Sequence, residues 1–584
     1  MGGMKIYNWR PFLERWSADW EDLVGGSEPW PGFAGVEEQR IREVEERLGV
    51  GLPLTYRSFL AVTDGWRAAG TEVGVVGALE GVRWNGDDDA EPGARLQLAV
   101  TGADIDVLLD PGDVDADGEW AAYLDRSRAD GGPEERYESF LDLMQELFRE
   151  FHRAHADSPG FTNATTRELD ADVEEARTGC LAGDDIDGRL DLFIEADAHG
   201  RSRAHGLRLQ VEAMLDGGPL DIRELGPLAA LERLDPRGAE SDTEVESGTG
   251  AVSDAAARFD AGAGFDAVAG VGVRTYRYEP SGTFGKAVAT ARELARWGDT
   301  DAAWETIADA VPDWEPNGSE HIAPVGLLAD PFLGPVITPE RGRYILETPR
   351  GEQREEGVVA SGEVFASEGE GLGWLADDGE QGGSYRFVLV EGISPEELAV
   401  RIGQGAGQEG PLSAPADERE AGDAARIGSC GGDSGWSFAF ESRRDTDFAG
   451  PLGESAQQSL QESFPAGGLG EKASRGTASV TVWVERGSEA EEEAGTFHFS
   501  YAEDGRRQYG FTVHDGEIEE WGTLPESLDP EELFPDPEDF ALDPDDEYEA
   551  LAAITDEYGV SLPRFALTRG RLHTVRTEPW VTGA

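Results

Sequence analysis

The sequence predicts a multidomain α+β protein, in which helices and antiparallel strands occupy successive regions instead of alternating as βαβ units. Three observations carry this. The chain has 584 residues, more than one hydrophobic core organises, which implies about three or four domains. Apolar residues recur at helical spacing over 36–60, 139–151 and 284–311. After residue 372, apolar and aromatic residues instead alternate with period two, as in YRFVLV, WSFAFE and TVWV.

Residues 1–158 read as an N-terminal domain with a mixed sheet and packed helices. Within VEEQRIREVEERLGV (36–50), Ile41, Val44 and Leu48 fall on one helical face. Glu37 and Glu38 lie in the first turn, where negative charge suits the helix dipole, and Gly49 can take the left-handed cap. Pro53 is placed to open a second helix, which carries Tyr56, Phe59 and Leu60 at i, i+3 and i+4 and stops at Asp64–Gly65. Strand candidates VGVVGAL and IDVLLD follow, then an acidic turn. Ser139 is positioned to cap a closing helix with Phe140, Met144, Leu147, Phe148 and Phe151 on one side.

Beyond it, residues 159–235 read as a segment of small helices, from the spacing in LRLQVEAML and ELGPLAALERL. Residues 236–265 are a flexible acidic linker, with small, Gly-rich sequence concentrated at 241–264. Residues 266–350 form a helical-hairpin domain. In it Phe284, Val288, Ala291 and Leu294 face Trp304, Ile307, Ala308 and Val311 across a Gly298–Thr300 turn. A second linker, 351–371, leads into an α+β region over 372–584 with an antiparallel sheet. There Phe497, Phe499 and Tyr501 point one way, and Ala502–Gly505 makes a hairpin turn.

Charge narrows the function. The 119 acidic residues against 49 basic ones leave a net charge of −70, which opposes direct binding to nucleic acid or to an anionic membrane. The acids are spread along the whole chain. Adaptation to salt, ordinary solvating acids and mimicry of nucleic-acid phosphates against a basic nuclease all fit that distribution. No run of 18 apolar residues occurs, and MGGMKIYNWRPFLERW has no signal-peptide core, so a cytoplasmic protein is expected. Cys180 and Cys430 are the only cysteines, too few for a disulfide framework.

The spacing I–x–x–x–E–x–x–LG–x–x–LP–x–x–Y–x–x–FL, closed by Asp-Gly, runs from Ile41 through Glu45, Leu48, Gly49, Leu52, Pro53, Tyr56, Phe59 and Leu60 to Asp64 and Gly65. It resembles the signature of the SUKH superfamily, and GEWAAYL…ERYESFLDLM (118–144) is similar to the end of that domain. The sequence departs from the pattern at Asp64, where Asn is commoner, and at Trp66. The resemblance implies a non-catalytic domain of the kind that neutralises polymorphic toxins, or that serves elsewhere as a protein-interaction module. Residues 372–535 resemble an actinobacterial domain family of unknown function, which brings no activity with it.

Three strings invite catalytic or metal readings. CGGDSGW (430–436) echoes a trypsin-like nucleophile segment, but no histidine stands in that family's setting and the paired cysteines are missing. DVDADGEW (113–120) begins like a calcium loop, yet position twelve is Leu124, so an acidic turn is the better account. His152 and His155 lack further ligands at zinc spacing and read as solvent-facing. No cofactor, metal or catalytic residue is therefore assigned.

The expectation is a non-enzymatic immunity protein that binds a toxin domain stoichiometrically, with a basic nuclease as one fitting target. Candidate partner contacts are Tyr56, Asp64 and Trp66, near a helix end, and Asp113, Asp115 and Asp117 in the acidic turn. The alternative is an intracellular scaffold or regulator that uses the same domain for docking.

Overall fold

A computed structural model describes residues 7–24, 30–67, 73–85, 94–101, 105–126, 133–158, 160–220, 277–351, 371–376, 383–403, 424–430, 435–443, 468–486, 495–535, 542–568, 570–577 and 580. The linker at 236–265, most of the one at 351–371, the string ELGPLAALERL and Ser434 lie outside them. The chain divides into two compact units, Met1–Val211 and Glu212–Ala584, each α+β. Among the described residues, no helix is long and apolar enough to cross a membrane.

The first unit holds six strands: β1 (Trp66–Arg67), β2 (Val75–Asn85), β3 (Arg95–Thr101), β4 (Asp106–Val114), β5 (Trp120–Asp125) and β6 (Glu135–Tyr137). They pair in chain order, each antiparallel to the next. Three helices precede the sheet: α1 (Trp9–Val24), α2 (Glu38–Leu48) and α3 (Leu54–Val62); α4 (Phe140–His155) follows it. Helix α1 was not foreseen, although Trp9, Leu13 and Trp16 are spaced for one face and are fully buried. Their rings pack edge-on or tilted against α3 and α4, with Trp9–Phe59 and Trp16–Phe148 centroids both 5.2 Å apart.

The signature residues each have a mechanical task. Gly49 takes φ 72° behind α2, and the Glu45 Oε1 accepts from the Leu52 amide at 3.0 Å, which fixes the α2–α3 corner. Pro53 sits one residue earlier than expected, at the N-cap position of α3. Tyr56 donates its hydroxyl to the Gly77 carbonyl at 3.0 Å. Gly77 has φ +80°, and a Cβ there would approach Phe59 to 3.1 Å and Phe140 to 3.3 Å. Ser139 caps α4 by accepting from the Asp142 amide, as expected.

The compact unit does not end at residue 158. Helices α5 (Ala164–Ala182) and α6 (Ile186–Ala198) belong to it, and α7 (Ser202–Asp216) begins within it. A capping box starts α5: the Asn163 Oδ1 accepts from the Thr166 amide at 2.7 Å, and the Thr166 hydroxyl accepts from the Asn163 amide at 2.9 Å.

In the second unit, α8 (Gly282–Arg296) and α9 (Thr300–Ala310) form the expected hairpin, with Phe284, Val288, Trp304 and Ile307 buried. Its chief sheet contains β7 (Ser384–Glu391), β8 (Ala424–Ser429), β9 (Trp436–Arg443), β10 (Ala478–Glu485), β11 (Thr496–Glu503), β12 (Arg506–His514), β13 (Glu517–Trp521) and β14 (His573–Arg576). The order is β13-β12-β11-β10-β7-β9-β8-β14. Both hairpin turns at its β11–β13 end are Asp-Gly pairs with positive φ at each residue: Asp504 and Gly505 at 47° and 77°, Asp515 and Gly516 at 48° and 72°. That is the backbone twist two-residue hairpins favour, so the expected four-residue turn contracts to its last two residues.

Candidate functional site

The six residues expected at a partner surface divide by burial. Tyr56 and Trp66 are fully buried in the first core. Tyr56 stacks edge-on against Phe140 at 4.9 Å, and burial raises its phenol well above the ordinary range. Trp66 packs between Trp16 and Trp30, with centroids 5.7 and 5.1 Å away. Neither ring can meet a partner of the folded domain. Asp64 is half-buried, and its Oδ1 accepts from the Leu79 amide at 2.7 Å, which ties the end of α3 to β2. This task suits a short carbonyl-bearing side chain, so aspartate serves there as well as asparagine would.

The acidic turn joins β4 to β5, as a turn between strands should. Asp113 is held by Arg136 through Nε and Nη2, at 2.7 and 3.0 Å, and accepts from the Tyr123 hydroxyl at 2.7 Å. Those bonds depress its carboxyl to about 2. Asp115 accepts from the amides of Asp117 and Glu119, at 2.8 and 2.9 Å, and so shapes the turn. Asp115 and Asp117 are exposed. Glu119 reaches back to accept from the Thr55 amide at 3.0 Å, anchoring the first turn of α3. No group of three or more metal-ligating side chains occurs among the described residues.

A groove of about 410 Å³ lies elsewhere in the same unit, where α1, α4, α5 and α6 meet. Each helix contributes one stripe at helical spacing. Helix α1 supplies Phe12 and Arg15, and α4 supplies Gln145, Phe148 and Arg149. Helix α5 supplies Thr165, Glu168, Leu169 and Asp172, while Glu195 and His199 come from α6 and the residue that caps it. Phe12 and Phe148 stack edge-on at 5.5 Å, so part of the wall is aromatic.

Charge around the groove is nearly all spoken for. Arg15 bonds Glu168 at 2.7 Å, and Arg149 bonds Glu195 at 2.7 Å. Burial pushes the His199 imidazole down, to about 4, and its Nδ1 lies 2.8 Å from the Glu195 carbonyl. It is therefore neutral at neutral pH. Asp172 makes no ion pair or hydrogen bond among the described residues. Partial burial first, then repulsion from Glu168 and Glu175, raises its carboxyl, against a smaller opposing pull from Arg15.

Beneath this groove is a buried polar knot. Arg15 donates from Nε to the Thr165 hydroxyl at 2.8 Å, and that hydroxyl donates to Asp19 Oδ2. The His152 Nε2 lies 3.2 Å from the same carboxylate oxygen, without the alignment of a hydrogen bond. Its Nδ1 faces the Phe148 carbonyl at 3.0 Å. Asp19, His152 and Thr165 are all buried. His152 is thus not solvent-facing as its sequence neighbourhood suggested: it points inward, and His155 is half-buried beside Phe161.

Sequence reasoning missed the groove because its parts come from both sides of residue 158. The signal was present in Trp9, Phe12, Leu13, Trp16 and Trp20, whose spacing marks α1. In the other unit, Cys430 of the CGGDSGW string is buried, and burial raises its thiol far above the ordinary range. Compared with known proteins, the chain matches no family model, no curated protein and no solved structure.

Proposed function

We propose that this chain is a non-enzymatic binding protein, acting in the cytoplasm as an immunity protein that holds a basic toxin domain in a stoichiometric complex. The observation that carries the reading is the groove of the first unit. It is a preformed, partly aromatic concavity on four packed helices, lined by three carboxylates and two guanidiniums, in a protein of net charge −70. Rigid helices present such a surface at little entropic cost, and an acidic field speeds capture of a cationic partner.

The test is co-expression of the full chain with the toxic domain of a polymorphic toxin encoded beside its gene. Rescue of growth together with a defined complex on a sizing column is the expected result. Absence of both, with each protein soluble, overturns the immunity role. A scaffold or regulatory role then gains weight, favoured by a second compact unit with its own extensive hydrophobic core. Its mark would be several partners and no protection.

A further inference from the structure

The proposed function leaves open what the groove recognises, and its charge arrangement answers this in chemical terms. Two guanidiniums line it, and each is already matched by a carboxylate: Arg15 by Glu168, Arg149 by Glu195. His199 carries no charge at neutral pH. The charge left over is the carboxylate of Asp172, one turn along α5 from Glu168 and on the same stripe as Leu169. The half-buried ring of Phe12 and the buried ring of Phe148 line the same groove. An unmatched anion in a groove with a partly open aromatic ring suits a side chain that is flat and apolar on its faces and cationic at its edge.

We propose that the groove is the docking pocket for an arginine side chain projecting from the protein partner, with Asp172 as its counter-ion and the half-buried ring of Phe12 as its stacking wall. The inference rests on the binding-protein reading and specifies the partner's contact. Guanidinium is favoured over ammonium because it sheds water more easily, stacks on aromatic rings and bonds carboxylates through a planar fork. Asp172 gains most from such a partner. Its charge is disfavoured in the free protein by partial burial and by Glu168 and Glu175, which Arg15 offsets only in part, and an incoming cation relieves the remaining cost. A negatively charged anchor would meet three carboxylates, with both arginines already engaged.

A peptide array with constant neutral flanks and one variable central residue tests this without knowledge of the toxin. The central residue is Arg, Lys, citrulline, Gln or Glu, and the probe is the full-length protein at about 0.15 M salt, where long-range attraction is screened. Citrulline keeps the shape of arginine and removes the charge. The wild-type protein should retain Arg peptides above Lys, and citrulline, Gln and Glu peptides at background. Asp172→Asn should reduce Arg retention by about fivefold or more, equivalent to about 1 kcal/mol. Asp556→Asn, which removes the same charge from an exposed position in the other unit, should leave retention unchanged. Thermal unfolding confirms that both variants are folded.

Equal retention of Arg and citrulline peptides, no Arg-dependent retention, or equal losses in the two variants would each overturn the pocket. The two readings separate cleanly. Arg retention that depends on Asp172, without rescue from any neighbouring toxin, removes the immunity role and keeps the pocket. Rescue that persists undiminished in Asp172→Asn removes the pocket and keeps the role.

Discussion

The Arg15 guanidinium donates from Nε to the Thr165 hydroxyl at 2.8 Å, across 150 residues of chain, and this bond helps to join α1 to α5 above a buried carboxylate. The hydroxyl in turn donates a hydrogen bond to Asp19, so it serves as acceptor and donor at once. Thr165→Val keeps the shape and removes both functions. Asp19 then loses its hydroxyl donor while remaining buried, at a cost of about 1–3 kcal/mol. Urea unfolding should show that loss, and amide exchange should quicken in α5 before it does in β4 and β5. An unchanged midpoint would mean that the knot contributes nothing net.

Helix α5 also depends on its first residue. Asn163 closes a reciprocal capping box with Thr166, satisfying two amides that the helix itself leaves unpaired. Asn163→Ala should cost about 1 kcal/mol, and Asn163→Asp much less, because aspartate retains the accepting oxygen. Equal destabilisation by both substitutions would argue against the cap and for a packing role of the buried amide group.

The second unit encloses an ion pair that composition alone hides. Arg386 donates from Nε to Glu441 at 2.9 Å, and its guanidinium lies 4.8 Å from the ring centres of both Trp483 and Trp580. Glu441 also accepts from Thr577 at 2.9 Å and from the Trp580 indole at 2.8 Å. Arg386→Met leaves the carboxylate buried without its cation, which should cost about 3–5 kcal/mol. Adding Glu441→Gln removes the stranded charge while keeping an acceptor for Thr577 and Trp580. The double variant should therefore be more stable than Arg386→Met alone. A double variant that is less stable would show that the carboxylate is held by its other donors and not by Arg386.

Much of this fold is legible in the sequence, and the residues show why. Apolar periodicity marks α2, α3, α4, α8 and α9, because each buries one stripe, as Ile41 and Leu48 do. Alternation marks β7, β9, β10, β11 and β12, since Phe497, Phe499 and Phe511 lie on one sheet face with polar His498 and Thr512 on the other. The Asp515–Gly516 turn follows the same rule as Asp504–Gly505 but joins short β13, whose EIEEW sequence offers little apolar signal. The groove is a different matter. Phe12, Phe148 and Asp172 have no local pattern that sets them together, and only the folding of α5 and α6 against α1 and α4 does so. Tyr56 and Trp66 fail as surface candidates for the converse reason. A polar tip at a helix end is compatible with exposure, yet the Gly77 carbonyl meets the Tyr56 hydroxyl inside.

The net charge of −70 makes a bulk prediction. Self-repulsion disfavours the compact state, and salt screens it over a Debye length of about 3 Å at 1 M against about 10 Å at 0.1 M. Tm should therefore rise steadily between these concentrations in potassium chloride. A flat or falling Tm would mean that the abundant Arg–carboxylate pairs, such as Arg201–Asp170 at 2.7 Å, already offset the repulsion.

Acid should weaken the second unit through His498. The imidazole is buried, its Nδ1 lies 2.8 Å from the Thr512 hydroxyl, and Trp521 stacks on it at 5.6 Å. Burial, aided by the nearby Arg507, lowers it from 6.5 to about 3. The folded state thus keeps His498 neutral through a range in which the unfolded chain takes up the proton. Its contribution is fully present above pH 6.5 and declines as pH falls toward 3, by about 1.4 kcal/mol per pH unit. His498→Gln has no such proton to bind. The carboxylates titrate alike in both proteins, so the difference between their urea stabilities at pH 7, 6 and 5 isolates the histidine. The wild type should lose ground to the variant as pH falls below 6.5, at a rate that approaches about 1.4 kcal/mol per unit. Parallel curves would mean that the imidazole is protonated in the folded state, and that Thr512 accepts a hydrogen bond from it instead of donating one.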